Sequence, residues 1–427
     1  MIKKLLLRLN ENAFFKNVST LAAGTILSQL ILFAASPLLT RLFSAADFGI
    51  LALFTSISTI AAIITTGRYE LAIGLPKKDE DGANMVGLVI FLGGLVSSFY
   101  LFVIFVLKSL NINFIHHIQL LNLPVAYLIP VFTFFAGVCS AFQYWNQRKK
   151  NYKRIAFGNA VQVVGATLFN VAFGLLGYKT FGLIWGLLIG QICGSLTLFL
   201  TLYYNGYLKS IQLSKFKSNA LEYSSFPKYL IISDFSLSIS QQVVPIIFSI
   251  LFNSSIVGYF SVANRMLRIP SIVLTSSIGN VFRNDAIDTI RTTGNCKRLY
   301  ISTFKKLVYL SVPIYVLIFS IAPWIFSVFF GKSWIQSGYF AQIICIMLVF
   351  DFVASPLNML FYILNKQKIY MRLQFLNSII GILLIILADK LFGSPFYSIL
   401  FFAFNSAVFS LISLYITYNF SKHIYNI

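Results

Sequence analysis

The chain has 427 residues, of which 58% are hydrophobic and only 11% charged, and its formal net charge is +21. A soluble domain needs about 25% charged residues to cover its surface, so this composition excludes one and points to a polytopic membrane protein. The basic excess does not mark a nucleic-acid binder, because Lys and Arg sit between apolar segments, as they do in the cytoplasmic loops of membrane proteins.

Residues 1–8 combine basic residues with a short apolar run ahead of Asn10, Glu11 and Asn12. That pattern reads as an interfacial amphipathic segment rather than a signal peptide. Twelve apolar runs of spanning length follow, at 18–41, 48–67, 84–107, 122–144, 155–177, 181–204, 229–252, 256–281, 306–330, 337–362, 371–389 and 395–420. With the N-terminus placed in the cytoplasm, 26 basic residues fall in inside segments and 5 in outside turns; Arg265 and Arg268 fall within a span. So strong an alternating bias supports the helix count and places both termini inside.

The longest hydrophilic connection, 205–228, separates six spans (1–204) from six (229–427). A short internal similarity supports two halves. Lys16 through Ser28-Gln29 recurs as Lys228 through Ser240-Gln241, and Leu42-Phe43-Ser44 with Gly49 recurs as Leu251-Phe252-Asn253 with Gly258. Both copies start inside, so the repeat is parallel, and two pseudo-symmetric six-helix lobes around a central cleft are expected. The external loops are short, leaving no room for an extracytoplasmic catalytic domain, and no phosphate-cradling glycine motif is present. Cys139, Cys193 and Cys345 lie in apolar runs and Cys296 in an inside loop, so no disulfide is expected. His116, His117 and His423 do not form a metal-ligand pattern, and His116–His117 reads as decoration of an external loop.

The most informative charges lie on the eighth span. Arg265 and Arg268 share one helical face with Asn264 beside them, roughly 14 and 18 Å from Ile256, near mid-membrane. Each costs about 2.5–3.5 kcal/mol there, so the pair calls for a watery or protein-lined interior and suits an anionic cargo. The competing reading is a shifted helix with both side chains snorkelling to a surface. Asp351 lies at a depth matching Arg268, either as a coupling carboxylate or as a fixed counter-ion. On the seventh span Asp234, Ser238, Gln241 and Pro245 form one polar face; Gln29 is the counterpart of Gln241 in the first half. Asn159, Gln162 and Asn170 give the fifth span a similar bias, and such residues either line a cleft or bond neighbouring helices. Arg41 and Asp47 flank the first external turn. Arg68 and Glu70 sit where the second span meets the cytoplasm, as an interfacial anchor or a substrate contact.

Three stretches carry a family resemblance: LTRLFSAADFG at 39–49, RYELAIGLP at 68–76 with the segment to Asn84, and VGYFSVANR at 257–265 with Pro270. They resemble the bacterial polysaccharide transporters, the O-antigen flippase-like family of the multidrug/oligosaccharidyl-lipid/polysaccharide superfamily. The resemblance implies a flippase, not an enzyme, that moves an undecaprenyl-pyrophosphate-linked oligosaccharide across the bacterial inner membrane by alternating access. It implies membrane lipid and polysaccharide-assembly proteins as partners, and H+ or Na+ as the coupling ion in place of any cofactor. The positions matching the family pattern are Arg41, Asp47, Arg68, Glu70 and Arg265. The alternative is a cation-coupled multidrug antiporter on the same fold, which would want an acidic cleft. An integral-membrane polymerase would want a large external loop.

Overall fold

The computed structural model describes residues 23–110 and 119–422. The N-terminal amphipathic segment and all three histidines lie outside the described residues. Twelve long helices account for most of the rest, and no strand occurs among the described residues. In chain order they are α1 (Ala23–Leu42), α2 (Ala45–Thr65), α3 (Asp79–Ser109), α4 (Leu128–Arg148), α5 (Tyr152–Leu175) and α6 (Lys179–Tyr204), followed by α7 (Ile231–Leu251), α8 (Ser254–Thr293), α9 (Lys297–Ile325), α10 (Ile335–Leu357), α11 (Gln367–Phe392) and α12 (Pro395–Lys422). Ten of these are long and apolar enough to cross a membrane, among the described residues. The chain is an all-α, multi-pass membrane protein.

Each expected span falls on one of these helices, with one sizeable difference in extent. The stretch 282–305, expected as a basic loop, is almost entirely helical: α8 runs on to Thr293 and α9 starts at Lys297. At about 1.5 Å per residue, the 40 residues of α8 measure about 60 Å, roughly twice the hydrocarbon thickness. Its charged last third, with Arg283, Asp285, Asp288 and Arg291, therefore continues as helix outside the apolar layer. Apolar run length reports where the membrane ends, not where the helix does.

The chain divides into two compact units between Gln242 and Val243, a point inside α7. In the first unit, Trp145, Met85, Val86, Ile73 and Leu198 form a core on which Phe216 also packs. The hydrophilic connection is docked on this unit. Asn84 donates to the Ser210 carbonyl at 2.9 Å and accepts from the Gln212 amide at 2.7 Å. Asp79 pairs with Arg148 at 2.9 Å, with Lys149, and with the Tyr207 hydroxyl. Helices α5 and α6 pack so closely that a Cβ on Gly190 would lie 2.5 Å from the Gln162 carbonyl oxygen. Gly186 and Gly194 face α5 in the same way, a small-residue stripe at four-residue spacing.

In the second unit, α10 is largely buried and packs against α8, α9 and α12. Gly338 admits Pro323 of α9 at close range, and the Tyr315 hydroxyl donates to Ser271 of α8 at 3.2 Å. Asn405 ties α12 to Asn377 of α11 at 2.7 Å. The internal sequence repeat has a structural meaning at helix starts. Ser44 caps α2 through a reciprocal box with Asp47, and its aligned counterpart Asn253 caps α8 by accepting from the Ile256 amide at 3.0 Å.

Candidate functional site

Two constellations of charge stand out, one in each unit. In the first unit, α2 ends at Thr65 and the chain turns through Gly67 and Arg68, both with left-handed backbone (φ +60° and +61°). Gly67 takes this conformation freely, whereas Arg68 is held there at a cost. The turn aims the Arg68 guanidinium between two carboxylates. It donates to Glu70 at 3.1 Å and to Asp234 of α7 at 2.5 Å. Burial opposes the Arg68 charge, but the two carboxylates outweigh it and its pKa is raised. Glu70 is only 2% exposed.

These residues line a cavity of about 380 Å³ with Ser238 and Gln241 of α7, Thr59 and Thr66 of the α2 end, and Gly137 and Ser140 of α4. One face of α7 thus turns Asp234, Ser238 and Gln241 into a single cavity. The neighbouring Gln242 bonds to Ser56 of α2 at 3.1 Å. Arg68, expected with Glu70 as an interfacial anchor or a substrate contact, has its charge matched twice. Neither the Arg68–Asp234 pair nor the part of Thr59, Thr66 and Ser140 is evident from the sequence pattern. The available signal was that Arg68 and Asp234 lie at the cytoplasmic ends of their expected spans with opposite charge.

In the second unit, Arg268 donates to Asp351 of α10 and to Asn264 one turn back on α8, each at 3.1 Å. Both ion-pair side chains are about two-fifths exposed, at 41% and 42%. The depth match read from the sequence is therefore an actual contact. Arg265 differs from its neighbour: it is exposed and has no hydrogen-bond or ionic partner among the described residues.

The remaining expected site residues are dispersed. Arg41 is exposed at the end of α1 without a partner among the described residues, while Asp47 is buried, caps α2 and accepts from Thr180 of α6 at 2.5 Å. Arg41 and Asp47 flank the same turn but do not pair. Gln162, expected along a cleft, donates instead to Gln191 of α6 at 2.5 Å, because the glycine stripe brings the two backbones together. Asn159 and Gln29 are half-buried on α5 and α1. A second hollow of about 580 Å³ lies at the α5–α6 turn, walled by Phe173, Tyr178, Phe181 and Trp185 with Lys179. Aromatic residues at an expected membrane boundary are what an interfacial belt supplies.

The described helices define an all-α, multi-pass integral membrane protein with a charged cluster in each unit. The chain is similar over 93% of its length to the lipid II flippase MurJ in an inward closed conformation, covering 87% of that chain at 15% identity and a TM-score of 0.66. It is similar over 91% of its length to an inward-facing multidrug resistance MATE family transporter, covering 93% of that chain at 13% identity and a TM-score of 0.63. A MOP superfamily transporter from Pyrococcus furiosus, described as having a binding pocket of reversed polarity, aligns over 94% of both chains at 12% identity with a TM-score of 0.57. At these identities the likeness is one of fold. Residues 38–339 match the polysaccharide biosynthesis protein family, and the chain belongs to that family. No curated protein matches it in sequence.

Proposed function

We propose that this chain is a flippase moving an undecaprenyl-pyrophosphate-linked oligosaccharide, the repeat unit of O-antigen or another surface polysaccharide, across a bacterial inner membrane. Transport proceeds by alternating access driven by an H+ or Na+ gradient. Arg265 is the observation that carries this reading. An arginine within a span costs about 2.5–3.5 kcal/mol even on the mild insertion scale. Arg268 offsets its cost through Asp351 and Asn264, whereas Arg265 has no such compensation among the described residues. An anionic cargo offsets it, and a pyrophosphate presents the acceptors that a guanidinium fork matches. Family membership in polysaccharide biosynthesis supports a glycan as the remainder of that cargo. The lipid tail stays in the bilayer, so only the head group needs a polar route.

One observation favours a second reading, a cation-coupled drug antiporter: the first-unit cavity holds two carboxylates against one arginine. The two readings separate in one experiment. The gene is deleted, and the leaflet holding the undecaprenyl-pyrophosphate-linked oligosaccharide is determined with a membrane-impermeant reagent. Accumulation in the inner leaflet, reversed by this chain, is the expected result. Normal sidedness with increased drug sensitivity would replace the flippase by the antiporter.

A further inference from the structure

We infer that the cavity of about 380 Å³ in the first unit is a glycan subsite that reads the hydroxyls of a neutral sugar unit and rejects the pyrophosphate. Arg68 is matched by Glu70 and again by Asp234, so the cluster carries one more carboxylate than guanidinium and repels an anion. A phosphate arriving there would have to displace carboxylates already bonded to Arg68.

The Glu70 oxygen not bonded to Arg68, Oε2, is buried and lacks a donor among the described residues, and the Arg68 Nε is buried and lacks an acceptor among them. Leaving such groups unmatched costs about 1–3 kcal/mol each, more when they are charged. A cation would suit the oxygen and be repelled by the N–H; an anion would suit the N–H and be repelled by the oxygen. A hydroxyl donates and accepts, so it suits both. The rest of the lining has the same dual character: the Gln241 amide and the hydroxyls of Thr59, Thr66, Ser140 and Ser238. Planar carboxylate, amide and guanidinium groups bond neighbouring hydroxyls on a sugar ring in pairs. The cavity volume lies within the range of about 300–1,000 Å³ for small-molecule sites.

The identity of the sugar as cargo rests on the flippase reading, and the two are tested apart. The full chain carries Ser238→Cys in a background where its four native cysteines, Cys139, Cys193, Cys296 and Cys345, are replaced by alanine. Sealed inside-out vesicles are labelled with a maleimide. One protectant is the free oligosaccharide released by mild acid from the cell's own lipid-linked pool; the other is inorganic pyrophosphate. At a free oligosaccharide concentration about ten times its Kd, labelling slows about tenfold. The expected outcome is that slowing, its loss on adding Gln241→Ala, and no effect of pyrophosphate. Protection by pyrophosphate, or by neither, overturns the subsite. Should Ser238→Cys fold poorly or resist the reagent, Gln241→Cys, at an exposed position on the same cavity wall, gives the same reading. Flipping without oligosaccharide protection overturns the subsite alone. Protection without flipping overturns the proposed function and leaves the subsite standing.

Discussion

Arg265 and Arg268 lie one helical turn apart, yet their surroundings give them different work. Arg268 is bonded to Asp351 and Asn264, whereas Arg265 presents its charge without a partner among the described residues. Truncating a charge that meets an opposite charge out of water typically costs about 2–5 kcal/mol of binding. Arg265→Ala is therefore expected to reduce lipid-linked oligosaccharide flux in proteoliposomes far more than Arg268→Gln, with Arg265→Lys in between. Equal losses from Arg265→Ala and Arg268→Gln would remove the distinction. Asp351 admits two roles, and a double substitution separates them. As a counter-ion, its loss in Asp351→Asn is relieved by Arg268→Gln, and the double variant transports better than either single one. As the coupling carboxylate, Asp351→Asn is inactive whatever stands at 268. Both arginines, and Asp351 at the depth of Arg268, were legible from depth and helical phase alone. That Arg265, unlike Arg268, meets no counter-ion among the described residues was not legible, because it depends on which rotamers meet across α8 and α10. Cys296 gives a check in the loop between α8 and α9. It is buried, its amide donates to the Ser421 carbonyl, and burial pushes its thiol up to about 11. Only the thiolate reacts, so alkylation of Cys296 in the folded chain is expected to be slow at pH 8 and to accelerate as pH rises towards 11. Rapid labelling at pH 8 without denaturant would contradict the buried placement.

At the scale of the element, the turn after α2 and the seam between α5 and α6 have opposite demands on glycine. Gly67 is needed for its positive φ, which lets Arg68 turn back towards Glu70 and Asp234. Gly67→Ala forces a Cβ into that conformation, 3.1 Å from the Tyr69 ring, at a cost of about 1 kcal/mol or more. Gly74, in the same segment, has ordinary φ and open space around its missing Cβ, so Gly74→Ala is expected to be neutral in a detergent thermal-unfolding assay. Gly190 is needed for close approach. Its Cβ would meet the Gln162 backbone at 2.5 Å, and backbone cannot rotate away. Gly190→Leu is expected to cost at least about 1–3 kcal/mol by overpacking and to break the Gln162–Gln191 bond, lowering the Tm clearly below that of Gly74→Ala. A Tm for Gly190→Leu equal to wild type would mean that α5 and α6 are not seated as described. The sequence revealed the helices through their apolar runs, and it revealed the N-caps Ser44 and Asn253 as aligned positions of a repeat. It did not reveal that 282–293 stays helical, since charge outside the membrane is as compatible with helix as with loop. Nor did it separate Gln162 from Gln241. Both read as polar residues on an apolar helix, and only the neighbouring glycines on α6 decide that Gln162 faces a helix instead of a cavity.

For the whole molecule the strongest sequence signal is the distribution of basic residues. With the helix order observed, residues such as Arg148, Lys149, Lys215, Arg298 and Lys366 fall at helix ends or in connections on one side of the expected topology, while Arg41, Lys108, Lys179, Lys332 and Lys390 fall on the other. The 26-to-5 ratio sets orientation because translocating a short basic loop is unfavourable, whereas acidic residues count for little. Several cations expected inside also have partners on the same side: Arg148 and Lys149 on Asp79, and Lys215 on Asp81. Inverting the chain would carry those clusters across together. Both ends are thus expected in the cytoplasm, and the α7 end bearing Asp234 would share the cytoplasmic side with the Arg68 turn. A fluorescent protein fused after Ile427 is expected to fluoresce, since that reporter folds in the cytoplasm, while alkaline phosphatase fused there is expected to be inactive. Fusions truncated at Lys332, in the turn after α9, should give the reverse pair of results. An active phosphatase at the C-terminus would invert the topology. It would place Arg68, Glu70 and Asp234 at the outer face, where the cavity would receive the glycan after translocation instead of before it.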